Sequence, residues 1–191
     1  MRYQLNETKL AWTIPICALA SFLVPNILAA QSMDGVWRSE GYGYVFETTS
    51  PIWQAFEITA STCVPGFSAT QLQTTMEGRE STFKKKDGDV FFVRPGGSND
   101  HKVLHFDGSA SDMRIDRLTQ MPAVCDHLTP DTPAHNFEVF ARTWAEQYIS
   151  FDLKHVDWDK VVATNRAKVT ATTSPAYLFD ILAGMIEPFG V

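Results

Sequence analysis

The sequence predicts an α+β protein, with an antiparallel β-sheet sandwich or barrel-like domain followed by a three-helix segment. Three observations carry this. From Met33 to about Arg117, short runs of aromatic and β-branched residues alternate with turn formers. A proline-rich interruption, LTPDTPAHN, comes next. Beyond it the apolar residues recur with the period of a helix rather than that of a strand.

Residues 1–32 stand apart from the fold. Arg2 and Lys9 precede LAWTIPICALASFLVPNILAA, which carries no charge from Leu10 to Ala30, and Ala29, Ala30, Gln31 and Ser32 follow. This is the order of a secretory signal peptide, with cleavage near Ala30–Ser32. The run is also about long enough to span a bilayer as an uncleaved anchor, and a buried helix is the third reading. Pro15 and Pro25 weigh against a spanning helix, since each removes a helix hydrogen bond. Signal and anchor alike imply export, to a periplasm or the extracellular space. After cleavage no stable membrane span is expected.

At 191 residues the chain can hold one ordinary domain or two small ones. Hydrophobic content of 45% and charged content of 20% argue against disorder. The net charge is −6, and it becomes −7 once Arg2, Glu7 and Lys9 are removed. That balance excludes a nucleic-acid partner, whose phosphates need clustered cations. Lys84, Lys85 and Lys86 form one basic run, but beside DGD they read as a solvated hairpin flank.

The β domain takes residues 33–128. GYGYVFET and IWQAFEITA are strand-like, with SP at Ser50 between them. ESTFKKKDGDVFFVRP holds a DG turn between two strand-like runs, a strong hairpin signal. KVLHFDG and SDMRIDRL continue the series. In the last, Met113, Ile115 and Arg117 share one face while Arg114 and Asp116 share the other. Cys17 leaves with the signal, so Cys63 and Cys125 remain as an even pair in an oxidising compartment. A disulfide is the expectation. Two separate buried thiols are the alternative.

Residues 129–135 read as a linker and residues 136–191 as the helical segment. Phe137, Phe140, Ala141, Trp144, Tyr148 and Phe151 make one apolar stripe on a helix opening near Asn136. Asp157 is placed to cap a second helix that buries Trp158, Val161 and Val162. Ser174 followed by Pro175 opens a third, with Leu178, Ile181, Leu182 and Met185 inward. The chain then ends on MIEPFGV, where Phe189 and Val191 have no evident place to be buried. The expectation is that they are exposed or poorly ordered.

Chemistry is sparse. Ser81 and Lys84 in STFK satisfy S-x-x-K, but on a strand positions i and i+3 face opposite ways. GFSAT around Ser68 lacks the second glycine of a nucleophile elbow. His101, His105, His127, His135 and His155 make no close metal spacing. His101 and His105 share a strand face near Asp107, short of the three or four convergent ligands zinc needs. DGSASD from Asp107 lacks the glycine and glutamate of a calcium loop and reads as a turn. No catalytic, cofactor-binding or metal-binding residue is assigned.

Two families are resembled. GVW, Gly35 to Trp37, ahead of antiparallel strands, resembles the opening of lipocalins, whose tryptophan closes the base of a ligand-holding barrel. NFEVFARTWAEQYISFDLKHVDWDK, continuing through TSPAYLFDILAGMIEPFG, resembles the helical lead-in of C-terminal processing (tail-specific) serine peptidases, relatives of the tricorn core. The elements carrying it are Phe137, Phe140, Trp144, Tyr148, Phe151, Val156-Asp157-Trp158, Thr172 to Pro175, and Leu178 to Phe189. The β-rich stretch ahead, with DGVWRSEGYGYVFE and a cysteine after EITAST, looks like the extra domain of some exported members. The resemblance implies proteolysis of protein or peptide substrates in full-length relatives, by a serine with a lysine or histidine base. The positions of that catalytic core lie beyond this stretch, so none is carried over. The expectation is the N-terminal, non-catalytic portion of such a peptidase, as a fragment or a truncated product. A lipocalin-like small-ligand binder and a free-standing interaction module of the cell envelope are the alternatives.

Overall fold

The computed structural model describes residues 33–74 and 80–190. The signal-peptide reading of residues 1–32 and the expectation for Val191 fall outside them. Among the described residues eight strands form: β1 (Gly35–Ser39), β2 (Tyr44–Thr49), β3 (Ile52–Ile58), β4 (Cys63–Thr74), β5 (Ser81–Lys85), β6 (Val90–Ser98), β7 (His101–Phe106) and β8 (Met113–Leu118). Each pairs antiparallel with its chain neighbour, and β8 returns to β1, closing a barrel. Of the two arrangements the sequence allows, the barrel is the one adopted. At the seam Val36 lies opposite Leu118 and Ser39 opposite Ile115.

Alternation along the strands places large apolar side chains inside. Trp37, Phe46, Trp53, Phe83, Phe91, Leu104 and Ile115 are all essentially inaccessible to solvent. The rings touch in series: Phe46 to Trp53 and Trp53 to Phe83 at 5.1 Å between centroids, and Phe83 stacked on Phe91 at 5.2 Å. Aromatic packing of this kind is worth about 1 kcal/mol per pair beyond area burial. The local turns follow their residue types. Ser50–Pro51, a cis peptide, joins β2 to β3. In the DG hairpin Lys85 bonds Asp87 at 3.3 Å and Asp89 at 2.5 Å, and the Asp89 bond above all holds the Lys85 pKa above its ordinary value.

The two barrel ends differ. At the end where β1 begins, the Trp37 indole N–H donates to the Met33 carbonyl at 2.9 Å. The Arg117 guanidinium lies 4.3 Å from the Trp37 ring centroid and donates to the Asp34 carbonyl. A cation over an indole face is favourable, more so where water is excluded. At the opposite end, Tyr44, Phe67, Phe106 and Met113 are only partly buried against the core. Burial foremost, and then the Glu57 charge, raise the Tyr44 pKa, while Lys85 lowers it. The unfolded chain therefore releases this proton at a lower pH than the folded one. The contribution of Tyr44 to stability is full below its ordinary value of 10.0 and is lost as pH rises through the raised one. Glu57→Gln is expected to bring the Tyr44 transition down toward its ordinary value, read as tyrosinate absorbance against pH. An unmoved transition would remove Glu57 as a cause.

Past the barrel the chain forms a 3-10 turn (Ala123–Cys125) and four helices among the described residues: α1 (Pro133–Gln147), α2 (Phe151–Lys154), α3 (Trp158–Arg166) and α4 (Pro175–Ile186). Cys125 in the turn is disulfide-bonded to Cys63 at the start of β4. Thr129 exchanges two bonds with Cys63, accepting from its N–H at 2.9 Å and donating its own N–H to the carbonyl at 2.8 Å. α1 opens three residues before Asn136, because Thr132 caps it, accepting from the His135 N–H, and Pro133 occupies its first position. Asp157 and Ser174 cap α3 and α4, accepting from Lys160 N–H and Tyr177 N–H. A fourth, four-residue helix appears because His155 takes a left-handed conformation that ends α2 after one turn.

The helices share their own core of Phe137, Ala141, Trp158, Leu178, Ile181, Met185 and Phe189. Here one expectation is overturned. Phe189 is 1% exposed, in a 3-10 turn (Glu187–Phe189) that folds back onto the helices. Its ring meets Trp144 at 5.2 Å, Tyr148 at 4.8 Å and Phe151 at 5.6 Å. The Lys154 ammonium on α2 donates to its carbonyl at 2.8 Å. Gly190 then adopts φ +73°, the left-handed termination that glycine tolerates best.

Candidate functional site

The serines and histidines singled out in the sequence do not gather. Ser81 is buried in the barrel and bonded to Gln71 and Thr74, whereas Lys84 is exposed on the opposite face of β5. His101 and His105 lie on the outer face of the barrel in separate pairs, His101 with Asp116 and His105 with Asp112, which also binds Arg94. His135 bonds the Thr132 hydroxyl at the mouth of α1. His127 and His155 are exposed. In DGSASD the Ser109 N–H donates to Phe106 and its hydroxyl to Ser111, a turn closed on itself. No group of three or more His, Cys, Asp or Glu that could hold a metal is found among the described residues.

Two features escape sequence reasoning. Lys102 points into the barrel and is 3% exposed, its ammonium 5.8 Å from the Trp37 ring centroid. Burial first, and then the nearby Arg117 charge, lower its pKa. The signal is alternation: in KVLHF positions 102, 104 and 106 share one face of the strand.

The second is a cleft of about 420 Å³ where the barrel meets the helices. The end of β1 supplies Arg38, the β1–β2 turn Gly41 and Gly43, the β3–β4 turn Thr59 and Ala60, the segment after β8 Pro122 and Val124, and the end of α1 Glu146 and Gln147. The Glu146 carboxylate accepts from the Ala60 N–H at 3.0 and 3.1 Å, tying α1 to the barrel. Gly43 has φ +64°, and a Cβ there would sit 2.9 Å from the Ile58 carbonyl, so this corner admits glycine alone without movement. The cleft is mixed in polarity and contains no nucleophile paired with a base. Its residues come from four distant stretches of the chain, which is why no local motif announces it.

Comparison with known proteins places the helical segment. The family model of the Tricorn protease C1 domain matches residues 129–187, which run from Thr129 at the disulfide junction through α4. This relates the segment to tricorn-like proteases. No curated protein and no solved structure matches the chain significantly. No helix among the described residues is long and apolar enough to cross a membrane.

Proposed function

We propose that the chain is the non-catalytic N-terminal portion of an exported tail-specific serine peptidase. The observation carrying this is the coincidence of the matched stretch, residues 129–187, with a helical unit that has its own core. In this reading the helical unit leads into a peptidase core and the disulfide-tied barrel is an accessory domain ahead of it. Peptide-bond cleavage, by a serine activated by a lysine or histidine base, belongs to that core. The residues described here would position it or its substrate and would hydrolyse nothing alone.

Reading genomic DNA past the codon for Val191 tests the proposal. A coding region with a serine and lysine core, in frame or frameshifted, is the expected result. Non-coding sequence would overturn it, as would labelling of a serine in this chain by a fluorophosphonate probe. Export is tested separately, by N-terminal sequencing of protein recovered outside the cytoplasm, which is expected to start near Ser32.

The closed barrel, with Trp37 shielded at one end, favours a second reading as a lipocalin-like binder. Against it, Phe46, Trp53, Phe83 and Phe91 meet along the interior where a lipocalin-type ligand would sit.

A further inference from the structure

We infer that the cleft between the β1–β2 turn and the end of α1 binds a small zwitterion of the free α-amino-acid type. Five observations converge there. The volume of about 420 Å³ lies within the range of small-molecule sites, roughly 300–1,000 Å³. The lining carries one charge of each sign, Arg38 and Glu146. Glu146 is held in place by the Ala60 N–H. Arg38 makes no ion pair among the described residues, so its planar fork is open to a carboxylate.

The fifth observation is strain. Gly41, Tyr42 and Gly43 take φ values of +74°, +62° and +64° in succession. Left-handed backbone costs glycine little but is unfavourable for a bulky aromatic residue. Tyr42 nonetheless holds it, 60% exposed and packed into none of the three core clusters among the described residues. Strain held at a residue the fold does not use for packing points to function. Tyr42 stands between Gly41 and Gly43, two residues that line the cleft.

The charge pattern selects the ligand. A dianion would face Glu146, and the chain as a whole is acidic at −6. A simple cation would face Arg38. An α-amino acid answers both, its carboxylate on Arg38 and its ammonium on Glu146, with the Gln147 amide beside them.

Isothermal titration of the purified protein with the common amino acids, one at a time, is the test. At least one is expected to bind saturably. Its N-acetyl and carboxamide derivatives, each lacking one charge, are expected to bind about tenfold more weakly or worse. Arg38→Gln should weaken the parent and the N-acetyl form while leaving the carboxamide unaffected. Glu146→Gln keeps an acceptor for Ala60 and should weaken the parent and the carboxamide. Tyr42→Gly is expected to raise the melting temperature while lowering affinity several-fold, a combination a purely structural loop would not give. No saturable binding at millimolar concentration, equal binding of the capped derivatives, or indifference to both charge variants in correctly folded protein would overturn the inference. So would binding of dipeptides without any free amino acid.

Discussion

Phe189→Ala is expected to cost the helical unit about 3–5 kcal/mol, the usual range for a large aromatic removed from a core. The ring is 1% exposed and touches Trp144, Tyr148, Phe151 and Trp158. Those contacts come from α1 and the residue that caps its end, from α2 and from α3, so the turn fills the place where three helices meet. Truncation leaves a void that its neighbours, themselves large and mutually packed, cannot close by small shifts. The measurement is urea unfolding followed by tryptophan fluorescence, because Trp144 and Trp158 flank the ring. Phe179→Ala is the control: that side chain is 70% exposed on α4 and should cost under about 0.5 kcal/mol. A loss at Phe189 no larger than at Phe179 would mean the turn is not part of the core.

Cys63→Ala with Cys125→Ala is expected to cost about 4 kcal/mol by the chain-entropy account of a loop of 62 residues. Alanine is preferred to serine because Cys63 is fully buried against Val45 and Ile58, where a hydroxyl would need a partner. The bridge encloses β4 through β8 and the following turn, so the loss should appear in barrel unfolding. The linker itself should stay docked in native protein, since Thr129 keeps both bonds to Cys63 without the sulfurs. Denaturant unfolding of the double variant gives the energy, and amide exchange at Thr129 reports the docking. Stability unchanged within about 1 kcal/mol would assign the bridge no thermodynamic role.

Where a feature depends on a few adjacent residues, the sequence discloses it. The DG hairpin, the Asp157 cap and the Ser174–Pro175 helix start are local, and each stands where its residue types require. Thr132–Pro133 is the same cap-and-proline signal as Ser174–Pro175. Set inside a stretch rich in turn formers, it is hidden by its surroundings, so the helix start reads three residues late. Barrel closure is of another kind. Alternation in MRIDRL says which face of β8 is inward, but not that its edge will meet β1, because pairing of distant strands is a property of the whole sheet's twist and register. Phe189 escapes for a related reason. Its burial depends on Lys154 and on α2, a helix of one turn too short to give a periodic signal. The cleft, assembled from β1–β2, β3–β4, the 3-10 turn after β8 and α1, has no continuous sequence to be read from.

The barrel's own ends carry a further consequence. β1 begins and β8 finishes side by side, with Val36 opposite Leu118. A module whose entry and exit points adjoin can be spliced into a surface loop of another protein without stretching the host, and can be recut at a different turn with its old ends joined. Every strand also pairs with its chain neighbour, so moving the cut disrupts only one hairpin connection. Evolution could therefore add or remove this barrel ahead of a helical unit as a cassette, with the disulfide and Thr129 as the clasp that fixes it where it lands.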